Sequence, residues 1–400
     1  MRKKYFVTAI TSLLFILFFA FIQFVLVDKE EEKETVRVGF LYVGDAGTPY
    51  TNNFIKAQND IKKEYGDRVE IIVKENIAEG NEEGALNELV NEKCQIIFSS
   101  SYGYGNTVKQ FAEKYPEIEF CQATCSNANE EPFLDNYHTF MGHIYEGRFV
   151  TGVVAGMKLK EMIEKDQITP QEAKVGYVAA FPYAEVISGY TAFFMGVRSV
   201  VDTATMEVQY TNTWSNYRIE KSVARQMIED GCVIISQHSD TTGPAVACEQ
   251  EKGSREVYHV GYNQSMIDVA PTTSLISCRI NWSPYCLKAV EAVMNDKKIE
   301  DMFGSGVNKN DVGAGFTDEW VALLEMNKSI IAAGTEQRVE NCIKALENDS
   351  LHVFVGNYTG TDPFNPKDTY DLNVEYKENE TSSAPTFHYV LDDVITVREE

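Results

Sequence analysis

Short apolar runs alternate along this chain with segments whose apolar residues recur every three or four positions. Val36, Val38, Phe40 and Leu41 read as a buried strand, the turn from Asp45 to Pro49 interrupts it, and Phe54, Ala57 and Ile61 resume at helical spacing. Further strands are predicted over 69–73, 96–99, 119–122 and 136–141, with helices over 51–65, 82–93 and 106–115 between them. A long helix over 145–164 follows, and then the alternation restarts. It gives strands over 174–179, 206–210, 233–237, 256–261 and 274–279, with helices over 183–200, 218–230 and 243–251. This repeated order predicts an α/β fold with two Rossmann-like lobes in tandem and a cleft between them. A long helix interrupts the count of βα units that a closed barrel would need.

Beyond Pro284 the pattern predicts a helix through Asn295, a Gly- and Asn-rich loop over 304–310, one long helix over 318–348, a strand over 352–356 and an irregular tail. Late helices that return to the first lobe would add crossovers, and such crossovers form a hinge. The expected division is a leader at 1–35, a first lobe at 36–150 with return segments from 283–320, and a second lobe at 151–282 with later segments from 320–400.

Composition and charge narrow the setting. With 400 residues, 44% hydrophobic and 12% aromatic, the chain can fill more than one core. Arg2, Lys3 and Lys4 precede an apolar run over 5–27, and roughly 20 such residues cross a bilayer. One N-terminal transmembrane helix is therefore expected, acting as an uncleaved signal-anchor with the body outside the cell. A removable signal peptide, which would release a secreted body, is the alternative. The segment 29–34 reads as a charged spacer. The net charge of −24 argues against nucleic acid as a partner, because phosphates need cations. Eight scattered cysteines lack a C-x-x-C pair and a histidine at metal spacing, so no metal is expected and they read as small buried hydrophobes.

Candidate chemistry gathers at the predicted strand ends. Tyr50, Ser101 with Tyr102, Phe181, Trp214, His238 with Asp240, Asn263 and Trp282 all follow strands, whose carboxyl ends share one edge of a parallel sheet. Aromatic faces plus a few amide and carboxylate groups suit a flat heterocycle with a polar edge. The run from Ser99 to Gly105 lacks the Lys-Ser/Thr ending of a phosphate loop. His238, Ser239 and Asp240 are consecutive at a strand end, so their side chains alternate in direction and form no catalytic relay. No catalytic residue and no cofactor is expected.

Five segments carry a resemblance: VGDAG at 43–47, SSSYGYG at 99–105, YEGRFVTGVVAG at 145–156, VGYVAAFPYAEVISG at 175–189 and IISQHSD at 234–240. In this order the chain resembles the basic membrane protein family of extracytoplasmic solute-binding proteins for ABC-type uptake. The resemblance implies a type I periplasmic-binding-protein fold with three crossovers and closure on a purine nucleoside or purine base. It implies no reaction, an ABC permease as membrane partner, and a monomer. It places Tyr50 where an aromatic stacks on the base, Phe181 and Trp214 near aromatics of the second lobe, and Asp240 and Asn263 where polar groups meet ribose or ring edges, with Trp282 nearby. Two segments depart from the family's pattern: Thr48 and Pro49 stand where relatives carry Trp-Thr before the tyrosine, and Asn263 replaces an aspartate of some nucleoside binders. Base, nucleoside and another ligand all stay open on these residues. A ligand-sensing ectodomain or regulator on the same fold is the alternative reading.

Overall fold

The computed structural model describes residues 35–398. The apolar run over 5–27 expected as an anchor lies outside them. Among the described residues no helix is long and apolar enough to cross a membrane.

Chain order builds the first lobe from β1 (Val36–Leu41), α1 (Pro49–Tyr65), β2 (Val69–Lys74), α2 (Glu82–Asn91), β3 (Ile96–Ser99), α3 (Gly105–Lys114), β4 (Glu119–Ala123) and β5 (Tyr137–Gly142). Helix α4 (Ile144–Glu164) enters the second lobe, which continues through β6 (Lys174–Ala179), α5 (Ala184–Arg198), β7 (Thr205–Tyr210), α6 (Tyr217–Glu229), β8 (Ile234–His238), α7 (Gly243–Glu251), β9 (Tyr258–Tyr262) and β10 (Ser274–Ile280). Then α8 (Ser283–Met294) packs on α1, and β11 (Val307–Asn308) and β12 (Asp311–Ala314) rejoin the first sheet. Finally β13 (Val321–Leu323), α9 (Thr335–Glu347), β14 (Thr359–Asp362), β15 (Asn365–Asp371), β16 (Val390–Leu391) and β17 (Ile395–Val397) complete the second lobe and an appended small sheet.

The two large sheets share one topology. The first runs β11-β12-β5-β4-β3-β1-β2 and the second β13-β10-β9-β8-β6-β7-β17. Within each, five consecutive strands are ordered 2-1-3-4-5 in parallel, and the antiparallel members β11 and β13 lie at edges. Strand order reverses beside β1 in one lobe and beside β6 in the other. In open parallel sheets the crevice at such a reversal is where ligands bind. The central strands are apolar on both faces, as β1 is, because helices cover both sides.

Three crossovers join the lobes, at 142–144, 281–282 and 315–320, and they are stitched together. His143 N donates to Ala314 O at 2.8 Å, Asn281 N to Trp320 O at 2.7 Å, and Phe316 N to a Glu146 carboxylate oxygen at 2.8 Å. Short segments of this kind at the ends of regular elements are where a hinge between two lobes lies.

Helices α4 and α5 pack with their backbones in direct contact. A Cβ on Gly152 would lie 1.9 Å from Phe193 O, and one on Gly196 would lie 2.0 Å from Phe149 O. Only glycine lets the two backbones touch, which explains the small residues scattered through two otherwise bulky helices. All eight cysteines are buried as unpaired thiols.

The late chain departs from the sequence expectation. The long helix over 318–348 is not formed: 321–323 pairs with β10 as a strand, and the helix starts only at Thr335, after Gly334 in a left-handed turn at φ 80°. Pairing across the sheet outweighs local spacing here. The tail expected to be irregular makes the three-stranded sheet β15-β14-β16, and β17 returns to pair with β7. Segment 352–356, expected as a strand, is irregular.

Candidate functional site: the interlobe cleft

Residues from both reversal points meet in one cleft between the lobes. Val43 follows β1, Ser101 and Tyr102 follow β3, and Thr124 follows β4. From the second lobe come Glu185 in the first turn of α5, Trp214 after β7, His238 and Asp240 at the end of β8, and Tyr262 ending β9.

Tyr50 is set by the start of α1, where Pro49 takes the first helical position that tolerates a missing N–H. Its hydroxyl donates to Ser100 O at 2.5 Å, and its ring stands edge-on to Phe54 and Trp282, with centroids 5.4 and 6.4 Å away. Burial, then the negative charge of Glu185, pushes its phenol well above the usual range. Ser101 Oγ donates to Glu79 at 2.6 Å, so this hydroxyl braces the loop that presents Tyr102. Tyr102 is half exposed at the cleft mouth, and its ring meets Tyr183 of the other lobe at 5.7 Å. Aromatic contact then continues from Tyr183 to Phe181 at 5.2 Å and from Phe181 to Trp214 at 5.1 Å.

The polar edge is acidic. Asp240 N donates to Trp214 O, which fixes these two residues relative to each other. Asn263 donates to Asp240 at 2.9 Å and accepts from Asn53 of the first lobe at 3.2 Å, so a single amide spans the lobes. Asn263 and Thr124 both hold left-handed backbone, at φ 67° and 64°, a conformation that asparagine adopts readily and threonine rarely. His238 faces Glu185 at 3.5 Å, but burial and the neighbouring Arg148 hold its imidazole down at about 4, so it is neutral at pH 7. Arg148 is buried behind the cleft, its guanidinium 3.6 Å from the centre of the Tyr262 ring and one nitrogen donating to Gln237 O. Among the described residues lining the cleft, none is a lysine or an arginine.

Of the side chains singled out from the sequence, Tyr50, Ser101, Tyr102, Trp214, His238 and Asp240 line the cleft. Phe181 lies behind Trp214, Asn263 behind Asp240, and Trp282 behind Tyr50, stacked on Phe54 at 4.4 Å in the first core. These three position the lining rather than form it. Val43, Thr124, Glu185 and Tyr262 were not singled out. Glu185 reads from sequence as an ordinary first-turn acid, and Tyr262 as one more apolar strand residue. Away from the lining, Asp362, Asp368 and His388 of the small sheet bring one potential metal-ligand atom each within 4.8 Å of one another.

Asp240 is pushed up to about 8, chiefly by burial and then by the charges of Glu220 and Glu185, against the pull of Asn263 and Arg148. A carboxyl that holds its proton more tightly when folded contributes stability that is complete below its unfolded value, about 4, and is lost as the pH rises through 8. Asp240→Asn cannot ionise. The ligand-free variant is therefore expected to gain melting temperature relative to the parent as the pH is raised from about 5 to 8. Superimposable pH profiles of the two proteins would show that Asp240 ionises normally.

Residues 35–340 match the family model described as ABC transporter substrate-binding protein, PnrA-like. The chain belongs to this family. The chain is similar to a purine-binding protein of Brucella abortus, 30% identical over 66% of this chain and 70% of its own length. A putative ABC transporter glucose-binding protein of Haloferax volcanii is 28% identical over 81% and 75%. Among solved structures, a solute-binding protein of an ABC transporter system from Aeropyrum pernix superposes with a TM-score of 0.64 over 78% of this chain and 92% of that one, at 15% identity. Such a likeness shows the shared two-lobed periplasmic-binding-protein fold. Solute-binding proteins of ABC importers take up a small molecule and present it to a permease, and the family is one of binders rather than enzymes.

Proposed function

We propose that this chain is the extracytoplasmic receptor of an ABC-type importer that captures a purine nucleoside or purine base without turning it over. It acts as a monomer, held at the membrane by its N-terminal apolar run. The observation that carries the reading is the composition of the cleft: Tyr50 and Tyr102 from one lobe, Trp214 from the other, and the carboxyl groups of Asp240 and Glu185 at the polar edge. Aromatic rings stack on a heterocycle, and carboxyl groups pair with ring N–H or ribose hydroxyl donors. The purine-binding relative supports the same choice. A cleft whose lining holds neither lysine nor arginine disfavours nucleotides, whose phosphates would be desolvated with no cation beside them. Because the ligand touches both lobes, it stabilises the closed state and shifts the hinge equilibrium toward it.

Thermal shifts of the full chain against nucleosides, bases, nucleotides, sugars and amino acids test this. A ligand that binds only the native state at 100 times its Kd adds about 2.7 kcal/mol of stability. Nucleosides or bases are expected to raise the melting temperature, and nucleoside monophosphates to leave it unchanged. A response confined to sugars or amino acids would defeat the purine reading, and glucose alone would align the chain with its archaeal relative.

A further inference from the structure

Behind the polar edge of the cleft, three buried nitrogens have no hydrogen-bond partner among the described residues: Nδ1 of His238 and Nε and Nη2 of Arg148. Both side chains are almost wholly enclosed, at 2% and 1% exposure. His238 ends β8 and Arg148 lies in α4. Their nitrogens face one space beside Gly189 of α5, where a Cβ would lie 2.8 Å from His238 Nδ1 and 3.7 Å from Arg148 Nε. Arg148 is fixed there by groups other than the histidine, through its bond to Gln237 O and the Tyr262 ring against its guanidinium. That ring also meets the imidazole edge-on, with centroids 5.0 Å apart.

The two nitrogens of a neutral imidazole are distinct, and the neighbours of each decide which carries the proton. A guanidinium is a cation with donors only. An N–H at Nδ1 would aim one donor at another and its positive end at a positive charge, whereas a bare Nδ1 offers a lone pair. Across the ring, Nε2 faces a Glu185 carboxyl oxygen at 3.5 Å, which favours an N–H on that side. Both neighbours therefore select the same form. The contact to Glu185 is longer than an ordinary N–H···O bond, so the Nε2 proton stays available to the cleft that His238 lines.

We propose that Arg148 is a positioning residue that holds His238 in the Nε2–H tautomer and so gives the cleft a fixed hydrogen-bond donor beside its acids. Burial, and then the same positive charge, keeps the imidazole from taking a second proton at pH 7. The consequence for binding rests on the reading of the cleft as a purine site. Purine rings carry bare nitrogens that only accept, which a carboxylate cannot pair with and an Nε2–H can.

Nuclear magnetic resonance of the full chain with isotope-labelled histidine rings tests the tautomer without any ligand. One of the six histidines, identified as the signal missing in His238→Gln, is expected to show a protonated Nε2 and a bare Nδ1 at pH 7. Arg148→Gln removes the charge but keeps a donor for Gln237 O. It is expected to populate both tautomers and to take up the second proton at a higher pH than the parent, because a repelling cation is gone. Arg148→Lys should stay parent-like. Circular dichroism checks folding, and Arg148→Met replaces the glutamine variant if that does not fold. A protonated Nδ1 in the parent, or a parent-like ring in the neutral variant, would overturn the proposal. Binding is read by calorimetry with adenosine and with deaza analogues that each lack one ring acceptor. One analogue is expected to bind the parent about tenfold more weakly than adenosine, and to bind His238→Phe as well as adenosine does. Equal losses in parent and variant would show that His238 donates nothing to the ligand. If adenosine does not bind at all, the purine reading fails, while the tautomer still stands or falls on the spectrum.

Discussion

Trp214→Ala weakens every purine ligand by about 1–3 kcal/mol, roughly 5- to 150-fold in affinity, if stacking here matches the stacking of bases on aromatic side chains elsewhere. The loss is expected to be similar for bases and nucleosides, because a ring face tolerates changes of substituent. Trp214 makes a cleaner probe than Tyr50. The Tyr50 hydroxyl is bonded to Ser100 O and its ring to Phe54 and Trp282, so its removal also loosens the first core. Trp214 is partly buried and rests against Phe181, and its tie to Asp240 is made by the backbone, which alanine keeps. Phe181→Ala, which removes only the support, should cost less than Trp214→Ala. Isothermal titration of folded variants decides the point. Parent-like affinity in Trp214→Ala would mean that the second lobe does not stack on the ligand.

The largest effect on stability is expected at Gly152. Adding one methyl group there drives a Cβ to 1.9 Å from Phe193 O, a backbone atom that can give way only if α4 and α5 move apart. Overpacking of this kind costs about 3 kcal/mol or more, and for a unit the size of one lobe that lowers the melting temperature by about 6–12 °C. The same change at Gly84, inside α2 with open space around the site, should be neutral or stabilise slightly, because alanine favours helix over glycine. Denaturant unfolding of both variants compares them directly. Equal stabilities would show that the two helices lie further apart than this packing requires.

Much of this architecture can be read in the sequence, because most of its strands are central and its helices regular. Central strands of parallel sheets are apolar on both faces, so segments such as 36–41 and 174–179 declare themselves. The helix expected over 145–164 forms over 144–164. The late chain is less legible for physical reasons. Trp320, Val321 and Leu323 have no local signal separating a helix turn from an edge strand, and only the exposed edge of β10 decides it. The strands at 359–362 and 365–371 are almost wholly polar, and the second mostly faces solvent, so no apolar alternation marks them.

The cleft divides along similar lines. Tyr50, Ser101, Tyr102, Trp214 and Asp240 follow strands whose order could be inferred, and they converge on one space. Asn263 and Trp282 also follow strands but stand one layer back, a distinction that depends on side-chain direction and not on position along the chain. Thr124 enters the lining through a left-handed backbone angle that its residue type does not announce.

The closing of the second sheet by β17 bears on how such a protein is made. Strand β7, at 205–210, acquires its outer neighbour only from residues 395–397, almost two hundred positions later. Contacts so distant in sequence form late, since the loop between them must be closed first. Until then β7 is a bare edge, open to pairing with another chain. A polypeptide threaded across a membrane from its N-terminus would therefore keep its second lobe unfinished until residues 395–397 had emerged. Its first sheet, completed by residues 311–314, could set earlier. The order in which the two lobes mature is thus written into which strands their edges borrow.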